Sequence, residues 1–471
     1  VAMTLKFGYN ENQKYPIAGF FKPAIRKFHV RRLRLCPRQV EAWGHGIKKN
    51  LRKRPMLKKM MKILGLALCL SGCTAVPAIP SQPQALSAIP FAELKTPLTL
   101  LCSSDLHYQS ERLQSQVSVV PQMIYNEAIT SAMLAQMEAA KPDYIILTGD
   151  LVNQGDASDH QKMAELLRKV NETVPVRVIC GNHDLAMVTR EEFVSLYHEF
   201  GYDQAYSRDP ASLSYAELTE AGVLLILLDT NSERPGGSEG TLSASTLEWL
   251  KTLGNQARES GWLTLTFSHH NLLDHTVTTS NDIVHTADAA KTLLEQLNIR
   301  THISGHRHTG HIQTETIGSQ SLTEIVLPMP IAWPNTYGRI EISTQGALDY
   351  TQRTIDVATW AKKQGLSKPD LLDFPAYSVQ AQRQANQNTL DSTLKNVELT
   401  CEQRQAMEDL FQQTMFSYRQ GQLDQVRTEL LAHPGYQAWQ TLGPDTIWKR
   451  WLKALLTRTE QSPGDHVHVA Y

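Results

Sequence analysis

Five short segments of this 471-residue chain carry side chains that bind divalent cations through oxygen or nitrogen. They are Asp105-Leu106-His107, Gly149-Asp150, Gly181-Asn182-His183-Asp184, His269-His270 and Gly305-His306-Arg307-His308. Carboxylate, amide carbonyl and imidazole together suit iron, manganese or zinc. Two such ions need about four protein ligands each, with one carboxylate shared. Asp150 is suited to the shared place, because a carboxylate has two oxygens and Gly149 lets the backbone approach closely. His306 and His308 are one residue apart, so in an extended segment both rings fall on one face. Each segment alone says little: Gly-Asp is a common turn, and Gly-Asn-His-Asp could be an Asx turn. The set, in one order along one chain, points to a two-metal centre.

The order resembles the pattern D-x-H, GD, GNH-D/E, H and GH-x-H of the calcineurin-like metallophosphoesterases, over residues 98–345. The resemblance implies one ion held by Asp105, His107, Asp150 and His308, and a second held by Asp150, Asn182, His269 and His306. It implies hydrolysis of a phosphoester, with a metal-bridging hydroxide attacking phosphorus in line with the leaving oxygen. Bound metal lowers the pKa of water from 15.7 to about 7, which supplies that nucleophile at neutral pH. In the family the histidine at His183 faces the substrate and can protonate the leaving oxygen. Asp184 is expected to hold its ring in one tautomer. Asn153 and His270 are expected to touch the ligands rather than the ions. Asn153 stands where purple acid phosphatases carry a tyrosine, so no Tyr–iron charge-transfer ligand is expected. This chemistry needs no Ser or Cys nucleophile, and no C-x5-R site is present.

The elements that must position these residues follow from the apolar pattern. Runs at 98–103, 144–147 and 176–180 each lead into a motif, as do 263–267 and the segment ending at Ser304; 223–228 is a further run. Stretches 126–140 and 159–170 have helical spacing. Alternating strands and helices predict a layered α/β domain over 97–360, whose ligands collect at the carboxyl ends of strands. The resemblance refines this to a β-sandwich flanked by helices. Pro369 and Pro375 suggest a linker. The whole stretch 365–458 reads as a C-terminal all-α bundle. Thr400 and Gln403 form a candidate capping box there, and Met407, Leu410, Phe411, Met415 and Tyr418 share one face. Gly421 and Pro434-Gly435 read as breakers, and 447–455 as a last helix.

Charge divides the chain. Residues 1–62 hold 17 of the 46 Lys and Arg but two of the 47 acids, which leaves 29 basic and 45 acidic residues, a formal −16, for the rest. A body this acidic is not expected to bind nucleic acid, since phosphate binding runs on Lys and Arg. Met56 to Lys62 is a basic n-region, Ile63 to Leu70 a short apolar run, and Leu70-Ser71-Gly72-Cys73 a lipobox-like end. Residues 56–73 therefore resemble a bacterial lipoprotein signal peptide, with Cys73 the lipidated residue, an extracytoplasmic body on the cell membrane and 74–96 a flexible tether. Residues 1–55 then precede the expected start at Met56, Met60 or Met61. The alternative for them is a basic cytoplasmic tail or a nucleic-acid-binding arm. The six cysteines show neither a disulfide framework nor zinc spacing.

A lipoprotein signal ahead of the motifs and helices behind them resemble the class III cyclic-nucleotide phosphodiesterase branch. The expected activity is thus that of a phosphodiesterase on a small phosphoester. The alternatives are a phosphomonoesterase or nucleotidase, a diesterase of glycerol or cell-wall phosphodiesters, or a non-catalytic surface binding protein that keeps the fold. The full ligand set argues against the last, because binding alone does not need it. The oligomeric state is not legible.

Overall fold

A computed structural model of the chain describes residues 91–110, 120–275, 282–457 and 464–471. The basic extension, the signal peptide with Cys73 and most of the tether lie outside the described residues. Thirteen strands are described: β1 (Leu98–Ser103), β2 (Tyr144–Thr148), β3 (Val176–Ile179), β4 (Ser207–Arg208), β5 (Tyr215–Leu218), β6 (Val223–Leu228) and β7 (Leu263–Ser268), then β8 (Thr301–Ser304), β9 (His311–Ile317), β10 (Gln320–Val326), β11 (Thr336–Ile342), β12 (Leu348–Thr354) and β13 (His466–Val469).

They form two sheets. One has the order β13-β12-β11-β1-β2-β3, the other β4-β5-β6-β7-β8-β10-β9. β1, β2 and β3 run parallel, as do β6, β7 and β8. Parallel strands are buried on both faces and read as continuous apolar runs, which is why these strands were visible in the sequence. β6 shows the consequence. Val223, Leu225 and Leu227 enter the core with Leu100, Ile146 and Val178 of the other sheet. Leu224, Ile226 and Leu228 face the opposite way, onto helices Ala244–Ser260 and Ala287–Gln296. Side chains alternate across a strand, so one run serves two layers. Fully burying one such Leu or Val contributes about 1.5–3 kcal/mol. Helices Asn126–Ala139 and Ala157–Asn171 pack Ile129, Met133, Met163 and Leu167 into the same large apolar core as the strands of the first sheet. The arrangement is the expected α/β sandwich flanked by helices.

Four features of the C-terminal third differ from expectation. The stretch expected as a linker is helical: Pro369–Leu372 and Phe374–Leu394 each carry proline in the first turn, where its missing N–H would have no partner anyway. Pro434 likewise starts a helix, Pro434–Thr441, rather than only ending one. Leu371 and Phe374 join the large apolar core of the sandwich, and the separate helical core begins near Leu390. Finally, β13 pairs with β12 after the last helix, so the chain returns to the first sheet. The capping box is formed as expected: Gln403 N–H donates to Thr400 Oγ1 at 3.1 Å, and Thr400 N–H to Gln403 Oε1 at 2.9 Å. Met407, Leu410, Phe411, Met415 and Tyr418 are all buried. No described helix is long and apolar enough to cross a membrane.

Candidate metal centre

All five motifs sit just beyond strand ends. Asp105 follows β1, Asp150 follows β2, Asn182 follows β3, His269 follows β7 directly, and His306 follows β8. Adjacent loops are tied by main-chain bonds: Asp105 N–H donates to Gly149 O at 3.0 Å and His107 N–H to Asp150 O at 2.9 Å. Gly149 has φ +95°, and a Cβ there would stand 2.7 Å from Gly181 N and 2.8 Å from His269 Nδ1. Only glycine lets those three loops meet.

The backbone is strained where donors converge. Among the described residues, eight other than glycine have positive φ, and five of them are Asp105, His107, Asp150, His306 and His308. Such conformations cost on the order of 1–3 kcal/mol each and persist where the surroundings over-determine them. They also correct one expectation. His306 and His308 do not lie in an extended segment, because their φ values are +69° and +60°. The left-handed turns, not strand alternation, bring both rings to Asp150.

Two groups of donor atoms result. In one, ligand atoms of Asp105, His107, Asp150 and His308 lie within 4.8 Å of one another; in the other, those of Asp150, His269 and His306 do. Asp150 belongs to both. Asn182 Oδ1 lies 3.2 Å from His269 Nε2, which puts it beside the second group. His107 Nε2 and His308 Nε2 are 3.0 Å apart, and His306 Nδ1 and His269 Nε2 3.2 Å apart. The first group holds the four residues, and the second three of the four, that the family resemblance implied for each ion, with Asn182 alongside the second.

The electrostatics call for cations. Burial would raise Asp150, but His269 and His183 beside it hold its carboxyl well below the usual range. Burial lowers His107 and His306 well below the ordinary imidazole value, and His308 to about 4, so these rings present lone pairs. Burial also opposes a charge on His269, yet Asp150 and Asp105 raise it to about 9. Burial lifts Asp105 to about 7 against the pull of His269, with Asp150 adding to the rise. Two buried carboxylates that draw a proton onto a neighbouring ring are short of positive charge. Two metal ions would supply it, and the oxygen and imidazole donors fit them. His269 is already oriented: its Nδ1–H donates to Thr148 O at 3.0 Å, which leaves Nε2 for a metal.

The residues expected to assist are placed differently from one another. His183 stands beside the cluster, its ring edge-on to His107 at 4.6 Å. Its Nδ1–H donates to Asn153 O at 2.5 Å and its main-chain N–H to Asp150 Oδ1 at 2.8 Å. Asp184 does not hold this ring. It is buried and accepts from Gly181 N–H at 2.8 Å and Val152 N–H at 3.0 Å, so it fixes the loop instead. The sequence offered no sign of this, since the tautomer is set by the carbonyl of Asn153 and a carbonyl belongs to every residue. Asn153 thus touches His183 through its backbone, while its Nδ2 donates to Gln109 Oε1 at 3.0 Å. His270 is buried, bonds Thr230 Oγ1 through Nδ1 at 2.9 Å and packs its ring 4.5 Å from His306.

Glu324, in β10, was not anticipated. Its two oxygens accept from Leu272 N–H, Leu273 N–H (2.6 Å) and Ser304 Oγ–H (2.6 Å), and His275 Nε2 lies 3.1 Å away. One carboxylate thereby ties the loop after His269 to the strand before His306. Of the ligand histidines, His308 alone is substantially exposed, its side chain 40% accessible. The open edge of the centre lies there.

Comparison with known proteins agrees with this geometry. Residues 98–310 match the calcineurin-like phosphoesterase family, and residues 356–461 match the C-terminal domain of cyclic nucleotide phosphodiesterase. The glycerophosphodiester phosphodiesterase GpdQ of Enterobacter lignolyticus is 26% identical over 36% of this chain and 54% of its own. A cAMP/cGMP dual specificity phosphodiesterase of Mycobacterium tuberculosis is 28% identical over 42% of this chain and 55% of its own. The chain thus spans about half the length of these curated relatives. A dimetal phosphatase structure from Danio rerio aligns with 55% of this chain and 96% of its own, at 14% identity and a TM-score of 0.43. By its motifs and the family match, the segment 98–310 is a calcineurin-like phosphoesterase domain.

Proposed function

We propose that the chain is a dinuclear-metal phosphodiesterase acting on small phosphodiesters. One observation carries the reading: two groups of oxygen and nitrogen donors share the single carboxylate Asp150. In this reading Asp105, His107, Asp150 and His308 hold one ion, and Asp150, Asn182, His269 and His306 the other. Iron, manganese and zinc all suit the set. Bound there, two cations supply Lewis acidity to the phosphoryl oxygens and an activated water at neutral pH.

The chain's own side chains supply the rest. The Asn153 carbonyl holds His183 Nδ1–H, so Nε2 is the nitrogen left to give a proton to the leaving oxygen or to bond a phosphoryl oxygen. Asp184 keeps the Gly181–His183 turn in place under that ring. The exposed edge at His308 admits substrate. The match at 356–461 favours a cyclic nucleotide, while the GpdQ likeness favours a glycerophosphodiester. The lipobox-like Leu70-Ser71-Gly72-Cys73 supports an anchored, extracytoplasmic enzyme that meets its substrate outside the cytoplasm. Intact-mass analysis of the mature N-terminus tests that part. A lipid-modified Cys73 is expected, and an unlipidated N-terminus extending upstream of it would refute it.

The activity is tested with protein beginning after Cys73, by metal analysis and a panel of cyclic nucleotides, glycerophosphodiesters and phosphomonoesters. Both metals and a preference for diesters are expected. Asp150→Ala should abolish turnover and leave one ion or none, and retention of both ions with near-normal turnover would sink the shared-ligand assignment.

A further inference from the structure

Helix Cys401–Arg419 ends beside the loop that carries His306 and His308. Arg307 Nη2–H donates to Tyr418 Oη at 3.4 Å. Just beyond, the two parts of the chain meet through glycines. Gly464 N–H donates to Gly421 O at 2.9 Å, and a Cβ on Gly464 would stand 2.6 Å from Gly310 O and 2.7 Å from Gly421 Cα. The chain two residues past Arg419 is thus held, across one glycine, against the chain two residues past His308.

The two arginines at this junction differ. Arg307 is paired with Asp282 at 2.6 Å. Arg419 has no ion pair among the described residues, and its Nε is buried without a hydrogen-bond partner. Tyr418, its neighbour in the helix, is bonded to Arg307, which lies between His306 and His308, so Arg419 stands beside that loop. A partly buried guanidinium whose Nε has no partner and which meets no counter-charge among the described residues is poorly compensated. The neighbouring helix end gives a weak reason for it, since a cation in a last turn gains at most about 1 kcal/mol at an exposed site. A ligand anion at the open edge of the centre gives a stronger one, because a guanidinium presents a planar fork that matches two phosphate oxygens.

We propose that Arg419, supplied by the helical region, binds a non-bridging oxygen of the substrate phosphodiester at the His308 edge of the metal centre. The anion site is then completed across the two parts of the chain. This deepens the phosphodiesterase reading and rests on it for the identity of the substrate.

The test uses the metal-loaded chain beginning after Cys73, as wild type and as Arg419→Gln and Arg419→Lys. Binding of inorganic phosphate is measured by calorimetry, alongside metal content, melting temperature and KM for bis(4-nitrophenyl) phosphate. Loss of one charged hydrogen-bonding group should weaken phosphate binding roughly 10- to 100-fold in Arg419→Gln, with a partial return in Arg419→Lys. Metal content should not change, and the melting temperature should hold, since no ion pair among the described residues is lost. Phosphate affinity within about twofold of wild type in Arg419→Gln overturns the proposal. So does a lowered melting temperature with loss of metal, which would mark a structural role. A wild type that hydrolyses no diester, yet binds phosphate in an Arg419-dependent way, would overturn the phosphodiesterase reading and leave the anion site standing.

Discussion

His183 meets the metal cluster with one ring nitrogen committed and one free. Its Nδ1–H is taken by the Asn153 carbonyl, and its grip on Asp150 runs through the main chain rather than the ring. His183→Ala should therefore keep both metals while slowing hydrolysis by the roughly 10²–10⁴ typical of a lost general acid. The slowing should be large for alkoxide leaving groups and small for nitrophenolate. Equal losses for both would show that the ring does not donate the proton. The seven candidate ligands were legible because their chemistry is in their side chains and their order along the chain resembles the family pattern. The supports were not. Asp184 sits next to His183 in sequence yet serves the N–H groups of Gly181 and Val152, and Thr148 and Asn153 act through carbonyls. The left-handed turns at five ligands were equally hidden, since aspartate and histidine adopt that region only when tertiary contacts force them to.

At the scale of elements, β10 does more than extend its sheet. Burial alone would raise the Glu324 carboxyl, but His275, His302 and the Ser304 hydroxyl hold it down to about 2, from an ordinary 4.5. A carboxyl depressed in the folded state adds stability that is present above its unfolded pKa and is lost as pH falls through the folded one. For Glu324 that window runs from 4.5 down to about 2, and the full shift corresponds to at most about 3 kcal/mol. Glu324→Gln should flatten the fall of stability across this window in acid titrations monitored by circular dichroism. It should also weaken metal affinity by about 10- to 100-fold, because an amide N–H₂ would face donors that now hold the two ligand loops. Unchanged metal affinity would show that the loops do not depend on this tie. Glu324 escaped notice because β9 and β10 are not apolar runs. β9 lies at the sheet edge, and its residues alternate between partly buried and exposed from Gln313 on, with Thr314 and Thr316 on the wet face. β1, β2, β3 and β6 to β8, buried on both faces, were read directly from their composition.

At the scale of the whole molecule, the helical region is fastened to the sandwich at several separate places. Ser378 Oγ–H donates to Asn335 Oδ1 at 2.5 Å, Gln122 Nε2–H to Ser378 O at 3.2 Å, and Tyr125 Oη–H to Asp370 Oδ2 at 2.9 Å. Phe416 stacks edge-on against Trp333 at 4.5 Å. The return of the chain through β13 then closes the junction at Gly464, with Gln352 N–H donating to Asp465 O at 2.9 Å and Gln352 Nε2–H to Gly464 O at 2.6 Å. None of this was visible in sequence, because a four-residue strand of alternating His and Val after a bundle has no pattern that names its partner. The glycine contact is the part a single side chain would break, since a Cβ at 464 meets backbone on both sides, and backbone cannot swing away as a flexible side chain does. Gly464→Val should destabilise the chain by at least about 2 kcal/mol, the scale of an overpacked core position. The loss should be local to the junction. Amide exchange should quicken in β13 and the last turn of Cys401–Arg419, while β1, β2 and β3 stay protected, because their core lies between the sheets and does not include Gly464. Phosphate binding should weaken with it, as Arg419 loses its fixed distance from His308, whereas both metals should remain. Unchanged exchange in the last turn of Cys401–Arg419 would show that the other contacts alone seat the helices, and that the three glycines are not what brings this region to the metal centre.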